Sequence, residues 1–201
     1  MKKRLLGSIR KSIKKQYPNY NNDKIDEIMY GVEGIYLTIT KMIIIFSIAI
    51  ILGIFKELIT LLLFFNFIRL FAFGMHADKS IICLIFSGMI FIGSAFLCKY
   101  IVLNKTILYT LYLIAITIIS ICAPADTIKR PLIKKKKRII YKVLSIFVTL
   151  IFFIMSLFIK NNFLINCLIF SLLIECLLIL PITYKIFHLP YRNYKNYGLN
   201  T

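Results

Sequence analysis

The stretch IIYKVLSIFVTLIFFIMSLFI, residues 139–159, decides the fold class of this chain. Its length matches the roughly 20 apolar residues that an α-helix needs to cross a hydrocarbon layer about 30 Å thick. Five other apolar runs accompany it, at about 36–55, 58–74, 81–98, 106–122 and 163–183. The 201-residue chain is 60% hydrophobic with a mean hydropathy of +0.84, well above the range of soluble domains. We therefore predict an all-α fold, a polytopic membrane bundle of about six transmembrane or re-entrant helices.

The residues before the first run form a basic amphipathic segment. Apolar Leu5, Leu6, Ile9 and Ile13 recur at near-helical spacing, and lysine and arginine take most of the other positions. This pattern predicts a helix that lies flat on an anionic membrane surface and ends at Pro18. A disordered basic tail is the alternative, because isolated helices of this length are marginal in water.

Positive charge is concentrated in a few of the connecting segments. The chain has 26 Lys and Arg against 8 Asp and Glu, but no nucleic-acid-reading motif accompanies this charge, so we expect no nucleic-acid partner. With six crossings, 21 of the 26 positive charges fall on one side, in the segments 1–34, 69–80, 123–142 and 185–201. The positive-inside rule then places both termini in the cytoplasm, where basic segments meet anionic membrane lipids.

From this charge distribution we divide the chain into three parts: a cytoplasmic N-terminal segment (1–34), a membrane helical domain (35–184) and a cytoplasmic basic tail (185–201). The second apolar run is short and contains Asn66 and Arg69. It can therefore also form a re-entrant hairpin with the third run, and the charge distribution does not distinguish the two arrangements.

Five cysteines lie within or at the ends of apolar runs, and none of them forms a C-x-x-C pair. This pattern argues against a disulfide framework and against a zinc site, so we expect no metal and no cofactor. Each cysteine is by default a small buried hydrophobic residue. They are Cys83, Cys98, Cys122, Cys167 and Cys176.

The polar stretch RLFAFGMHADKSIIC, residues 69–83, holds a histidine close to one of these cysteines. An imidazole such as His76 can take the proton of a thiol such as Cys83, and the thiolate is the nucleophile. We expect Gly74 to cap the second helix and Asp78 or Ser80 to start the third. Cys83 then lies in the first helical turn, where the helix dipole stabilises a thiolate. An interfacial histidine beside an unreactive buried cysteine is the structural alternative.

Other polar residues have two interpretations each. Asp78 can orient the imidazole instead of capping a helix, and Arg69 can reach the membrane surface or hold a substrate carboxylate. Asp126, predicted to lie on the same face as His76 and Cys83, is either a supporting residue of the site or a turn residue after Pro124. Glu175 lies inside the sixth apolar run, which predicts an interior position and pairing with Arg69 or Lys41. The tail tyrosines read as an interfacial aromatic belt around His188: Tyr184, Tyr191, Tyr194 and Tyr197.

Two separated motifs carry a family resemblance. The pattern R-x4-G-x-H-A-x5-C, from Arg69 to Cys83, resembles the signature of the accessory gene regulator B (AgrB) family of quorum-sensing membrane peptidases. The stretch APADTIKRPLIKKKKR, residues 123–138, is similar to the A-P-A-D loop and basic cluster of the same family. Phe73-Gly74-Met75 departs from the paired glycines and aromatic residue of many members.

The resemblance implies a bacterial cell-membrane cysteine endopeptidase in which Cys83 is the nucleophile, His76 is the general base, and Arg69 and Gly74 are supporting positions. Its substrate would be an AgrD-type propeptide, cleaved through a thioester that an internal Cys or Ser converts to a thiolactone or lactone. The basic run, including Lys134, Lys135 and Lys136, would attract the acidic end of that propeptide. Homodimerisation is a further family expectation. A small transporter, or a non-enzymatic membrane protein that binds lipids or an acidic partner, is the alternative.

Overall fold

A computed structural model describes residues 2–18, 20–75, 80–127 and 132–194 of the chain. This part contains eight α-helices and no named strand, which confirms the predicted all-α fold. An isolated parallel bridge joins Phe73 to Ala125. The helices are α1 (Lys2–Gln16), α2 (Asn22–Ile51), α3 (Phe55–Ala72), α4 (Ser80–Tyr100), α5 (Lys105–Cys122), α6 (Lys135–Phe158), α7 (Asn162–Ile179) and α8 (Pro181–Ile186).

The chain divides into two compact units, of which the first is Met1–Ile48. The predicted basic amphipathic helix is present there as α1. The last turn of α1 carries two lysines, whose positive charge interacts favourably with the negative end of the helix dipole. Arg10 and Asp26 form an ion pair at 2.6 Å, and the rings of Tyr17 and Tyr20 stack between α1 and α2. These contacts hold the start of α2 against α1.

Helix α2 is longer than its apolar run. The sequence predicts a first span at 36–55, but α2 runs without interruption from Asn22 to Ile51. No proline interrupts it, and its two internal glycines each cost only about 1 kcal/mol relative to alanine. The helix ends before the predicted boundary because Gly53 adopts a φ of +64°, a left-handed conformation that favours glycine.

The second unit, Ala49–Thr201, is built around α7. Ten of the eighteen residues of α7 are buried, and the helix packs against α3, α4, α5, α6 and α8. The apolar side chains of α7 are distributed around the whole helix, which is typical of a central helix and not of a surface helix. Its buried Asn166 donates to the backbone carbonyls of Cys98 and Ile101, at 3.2 and 2.6 Å.

Among the described residues, five helices are long and apolar enough to cross a membrane, namely α2, α4, α5, α6 and α7. Helix α3 has the same 18-residue length as α5 and α7, about 27 Å, but carries Lys56, Glu57 and Arg69. All six predicted apolar runs are therefore helical. The sixth was predicted to continue to residue 183, whereas α7 ends at Ile179 and Pro181 begins α8, because proline cannot donate a helical hydrogen bond.

Candidate active site

The two sequence motifs meet through their backbones. The N–H of Ala125 donates to the carbonyl of Ala72 at 2.9 Å, and the N–H of Gly74 donates to the carbonyl of Ala125, also at 2.9 Å. A third bond runs from the N–H of Met75 to the carbonyl of Leu178 at 3.2 Å. The segment after α3 is thus fixed to the loop after α5 and to the end of α7. This fixed segment leads directly to His76 in the chain.

Arg69 connects the same segment to the central helix. Its Nη1 donates to Oε2 of Glu175 at 3.2 Å, and its Nη2 donates to the carbonyls of Gly74 and Met75 at 3.1 and 2.7 Å. The Glu175 side chain is fully buried and that of Arg69 is 13% exposed. Of the two partners predicted for Glu175, the structure has Arg69. The arginine therefore faces the protein interior rather than reaching out to the membrane surface.

A side chain at position 74 would collide with the guanidinium of Arg69 unless the arginine moved. The C-cap of α3 is Phe73, with a φ of 65°, so the prediction that Gly74 caps this helix is wrong by one residue. Gly74 itself has a φ of +102°, and a Cβ at this position would lie 2.5 Å from Nη1 of Arg69. The glycine is required because the guanidinium passes directly over the backbone it binds.

Cys83 is the fourth residue of α4 and lies in its first turn, as predicted. It is half-buried, whereas the other four cysteines, all in the described part of the chain, are buried. The Oγ of Ser87 donates to the carbonyl of Cys83 at 2.6 Å. His76 and Asp78 lie outside the described residues, so their predicted roles as general base and as capping or orienting residue stay predictions.

Asp126 is buried and binds the C-terminal part of the chain. Its Oδ2 accepts the N–H of Tyr194 at 2.7 Å, and its Oδ1 has no hydrogen-bond partner among the described residues. Burial raises the pKa of the Asp126 carboxyl, and backbone N–H groups, chiefly that of Tyr194, partly offset the rise. The predicted turn residue therefore also anchors a segment that is distant in sequence.

Tyr184 has a role that its sequence context did not predict. This tyrosine is 1% exposed, so its assignment to an interfacial belt is wrong. Its hydroxyl lies 3.4 Å from the carbonyl of Ala125 and 3.3 Å from that of Asp126. Pro181, which ends α7 and begins α8, is the sequence signal that the chain turns back here. His188 is exposed, and Tyr191 and Tyr194 are half-buried.

The basic run begins α6. Lys134 precedes the helix, and Lys135 and Lys136 lie in its first turn, all three exposed. Arg138 is different, because its Nη1 donates to the carbonyls of Leu132 and Ile133 at 2.9 and 2.8 Å. Its guanidinium also lies 4.0 Å from the centre of the Tyr194 ring.

The described residues contain no group of three or more potential metal ligands.

Most of the chain is similar to known proteins. A family model described as accessory gene regulator B matches residues 6–179. An AgrB-like protein of Clostridium acetobutylicum is 33% identical over 168 residues, covering 84% of this chain and 80% of the relative. An AgrB-like protein of Listeria monocytogenes is 29% identical over 171 residues, covering 85% and 84%. Accessory gene regulator protein B of Staphylococcus saprophyticus is 34% identical over 139 residues, covering 68% and 73%. No solved structure matches the chain.

Proposed function

Because the chain belongs to the accessory gene regulator B family, a family of quorum-sensing systems, we propose that it is a membrane cysteine endopeptidase that matures an AgrD-type propeptide. The observation that supports this best is the half-buried position of Cys83 in the first turn of α4. Backbone N–H groups at a helix start carry partial positive charge, which stabilises a thiolate. No other cysteine of the chain occupies a first turn.

In the proposed reaction, His76 takes the proton of the Cys83 thiol and the thiolate attacks a backbone carbonyl of the propeptide. The C–N bond of that peptide breaks, and the amine leaves with a proton as the C-terminal fragment. The N-terminal fragment stays on Cys83 as a thioester. An internal Cys or Ser of this fragment then attacks the thioester, closing a thiolactone or lactone and returning the thiolate. Exclusion of water from the site favours ring closure over hydrolysis.

The remaining residues of the two motifs have supporting roles in this proposal. Arg69 donates to the carbonyls of Gly74 and Met75, the two residues that precede His76, and so fixes the backbone there. Asp78 orients the imidazole or caps α4. Asp126 anchors the loop that pairs with Gly74. The beginning of α6 has a positive potential that attracts an acidic propeptide segment, because it carries Lys134, Lys135 and Lys136.

We further propose that the protein is a multi-pass protein of the bacterial cell membrane, with both termini and the active site on the cytoplasmic side. The support is the positive-inside distribution of lysine and arginine. The propeptide and anionic lipids are the proposed partners, and a homodimer is the proposed assembly. The transporter alternative requires polar groups along a path through the bundle. In the described interior, Asn166 binds backbone carbonyls and Glu175 pairs with Arg69, which does not favour it.

The proposal is tested by coexpressing the chain with its propeptide and following the release of the C-terminal fragment. We expect Cys83→Ala and His76→Ala each to abolish cleavage. The matched control is Cys98→Ala, which removes a buried thiol from the same helix and should leave cleavage in place. Cleavage that continues in the Cys83→Ala or His76→Ala variant, at wild-type protein levels, would overturn the proposed mechanism.

A further inference from the structure

A cleft opens between the end of α3 and the beginning of α6. Its volume is about 530 Å³, and its walls are mainly apolar and aromatic. The rings of Phe73 and Tyr141 meet edge to face across it, with centroids 4.9 Å apart. The lining residues are Leu70, Phe73, Leu132, Ile133, Lys134, Lys137 and Tyr141. The cleft is therefore an apolar cavity with two cations at its margin.

These two cations lack an acidic partner within the described chain. The described carboxylates of the second unit are Glu57, Asp126 and Glu175, and no ion pair joins any of them to Lys134 or Lys137. Asp126 instead accepts the N–H of Tyr194, and Glu175 accepts from Arg69. Because the positive end of the α6 dipole adds to the lysine charge, the cleft margin favours a bound anion.

The cleft continues into an exposed apolar stripe on α3. Leu63, Phe67 and Leu70 follow one another at helical spacing and are 66%, 47% and 64% exposed. The stripe extends about 10 Å along the helix. Phe67 stacks on Phe152 of α6, while Phe73 meets Tyr141, so the groove follows the line where the two helices pack. In a membrane-spanning bundle this surface contacts lipid hydrocarbon.

We propose that the cleft binds an anionic phospholipid, with its headgroup phosphate at Lys134 and Lys137 and the start of one acyl chain along the stripe of Leu63, Phe67 and Leu70. Lysines beside an apolar cavity at a membrane surface match both halves of such a molecule. An acidic peptide matches the lysines equally well. It fits the stripe less well, because its backbone N–H and C=O groups would enter hydrocarbon without partners. This lipid site does not depend on the proposed peptidase activity.

The test uses the absence of tryptophan from the chain. A Leu70→Trp variant, at an exposed position of the cleft, carries a single tryptophan in the full-length protein, which can be excited selectively above the tyrosine absorption. It is reconstituted in phosphatidylcholine vesicles containing phosphatidylglycerol brominated near the headgroup end of its acyl chains, or brominated phosphatidylcholine at the same mole fraction. Bromine quenches tryptophan at contact distance. We compare the mole fraction of each brominated lipid that gives half-maximal quenching. This mole fraction should be lower for phosphatidylglycerol than for phosphatidylcholine, by a factor of about five for each lysine that contributes.

Two controls separate a defined site from general surface attraction. A Leu113→Trp variant places the fluorophore at an exposed position of α5 and should be quenched equally by both lipids. Lys134→Gln with Lys137→Gln, in the Leu70→Trp background, should remove the preference. Lys105→Gln with Lys160→Gln removes the same charge near the opposite end of α6 and should leave the preference intact.

Equal quenching of the Leu70→Trp variant by the two brominated lipids would overturn the proposal. So would a preference that survives loss of Lys134 and Lys137 or disappears with loss of Lys105 and Lys160. If an acidic peptide relieves the quenching by brominated phosphatidylcholine in a lysine-dependent way, and no phosphatidylglycerol preference exists, the occupant is a peptide and the lipid proposal is wrong. Propeptide cleavage is not measured, so these results are independent of the proposed reaction.

Discussion

Gly74→Ala is the substitution for which the structure predicts the most specific cost. The added Cβ would lie 2.5 Å from Nη1 and 3.3 Å from Cζ of Arg69, and 3.3 Å from Oε1 of Glu175. The arginine is flexible in itself, but moving it breaks its bonds to Gly74 and Met75. Hydrogen bonds to charged groups contribute about 1.5–3 kcal/mol each.

The backbone adds a second cost, because alanine at a φ of +102° is strained by about 1–3 kcal/mol. Loss of one of these bonds from Arg69 together with this strain predicts a destabilisation of roughly 2.5–6 kcal/mol. That is a large part of the total stability of a typical domain. We expect a clearly lower thermal midpoint for the detergent-purified Gly74→Ala variant and loss of propeptide cleavage.

The double variant with Arg69→Ala separates the two costs. Without the guanidinium the 2.5 Å collision is absent and only the 3.3 Å approach to Oε1 of Glu175 remains, so Gly74→Ala should then cost little more than the backbone strain. Gly88→Ala and Gly93→Ala are matched controls, because a Cβ at either position meets nothing within 4 Å. Each should be neutral or slightly stabilising, since alanine is favoured over glycine within a helix. Equal destabilisation by Gly74→Ala with and without Arg69 would show that the guanidinium does not cause the cost.

Three further predictions concern the contacts around this glycine. Glu175→Ala leaves the Arg69 charge buried without its partner and should lower the free energy of unfolding by about 3–5 kcal/mol, whereas a double Leu substitution of the pair should cost less in the same unfolding assay. Tyr184→Phe removes a hydroxyl from two loop carbonyls and should cost about 0.5–1.5 kcal/mol by thermal unfolding. The raised pKa of Asp126 means that the folded chain keeps this proton at pH values where the unfolded chain has released it, so stability should fall as the pH rises above about 3.8. Asp126→Asn should flatten that dependence in melting curves recorded across pH, and an unchanged slope would contradict the assignment.

The positions of the helices followed from hydropathy, because each apolar run is long enough to require backbone hydrogen bonds made within itself. Hydropathy does not report where a helix continues outside the apolar layer. Helix α2 therefore begins at Asn22, well before its apolar run. The break at Pro181 was readable from the sequence but was included in the sixth run. At this position the proline predicts the end of the helix better than the length of the apolar run does.

Long-range partners were harder to predict than helices. Spacing placed Cys83 in the first turn of a helix, which is a local property. The choice between Arg69 and Lys41 for Glu175 depends on how α3 packs on α7, which no local pattern specifies. The buried position of Tyr184 likewise depends on α8 folding back over the loop after α5. An aromatic belt and a buried tyrosine have the same composition, so residue type alone could not separate them.

In the proposed reaction Cys83 forms an acyl intermediate, which can be trapped and identified. Purified protein in lipid vesicles is mixed with propeptide, quenched in acid and analysed by peptide mass spectrometry. We predict a hydroxylamine-sensitive adduct of the N-terminal propeptide fragment on Cys83, which does not form in the His76→Ala variant. An adduct on another cysteine, or cleavage without any adduct on Cys83, would show that Cys83 is not the nucleophile.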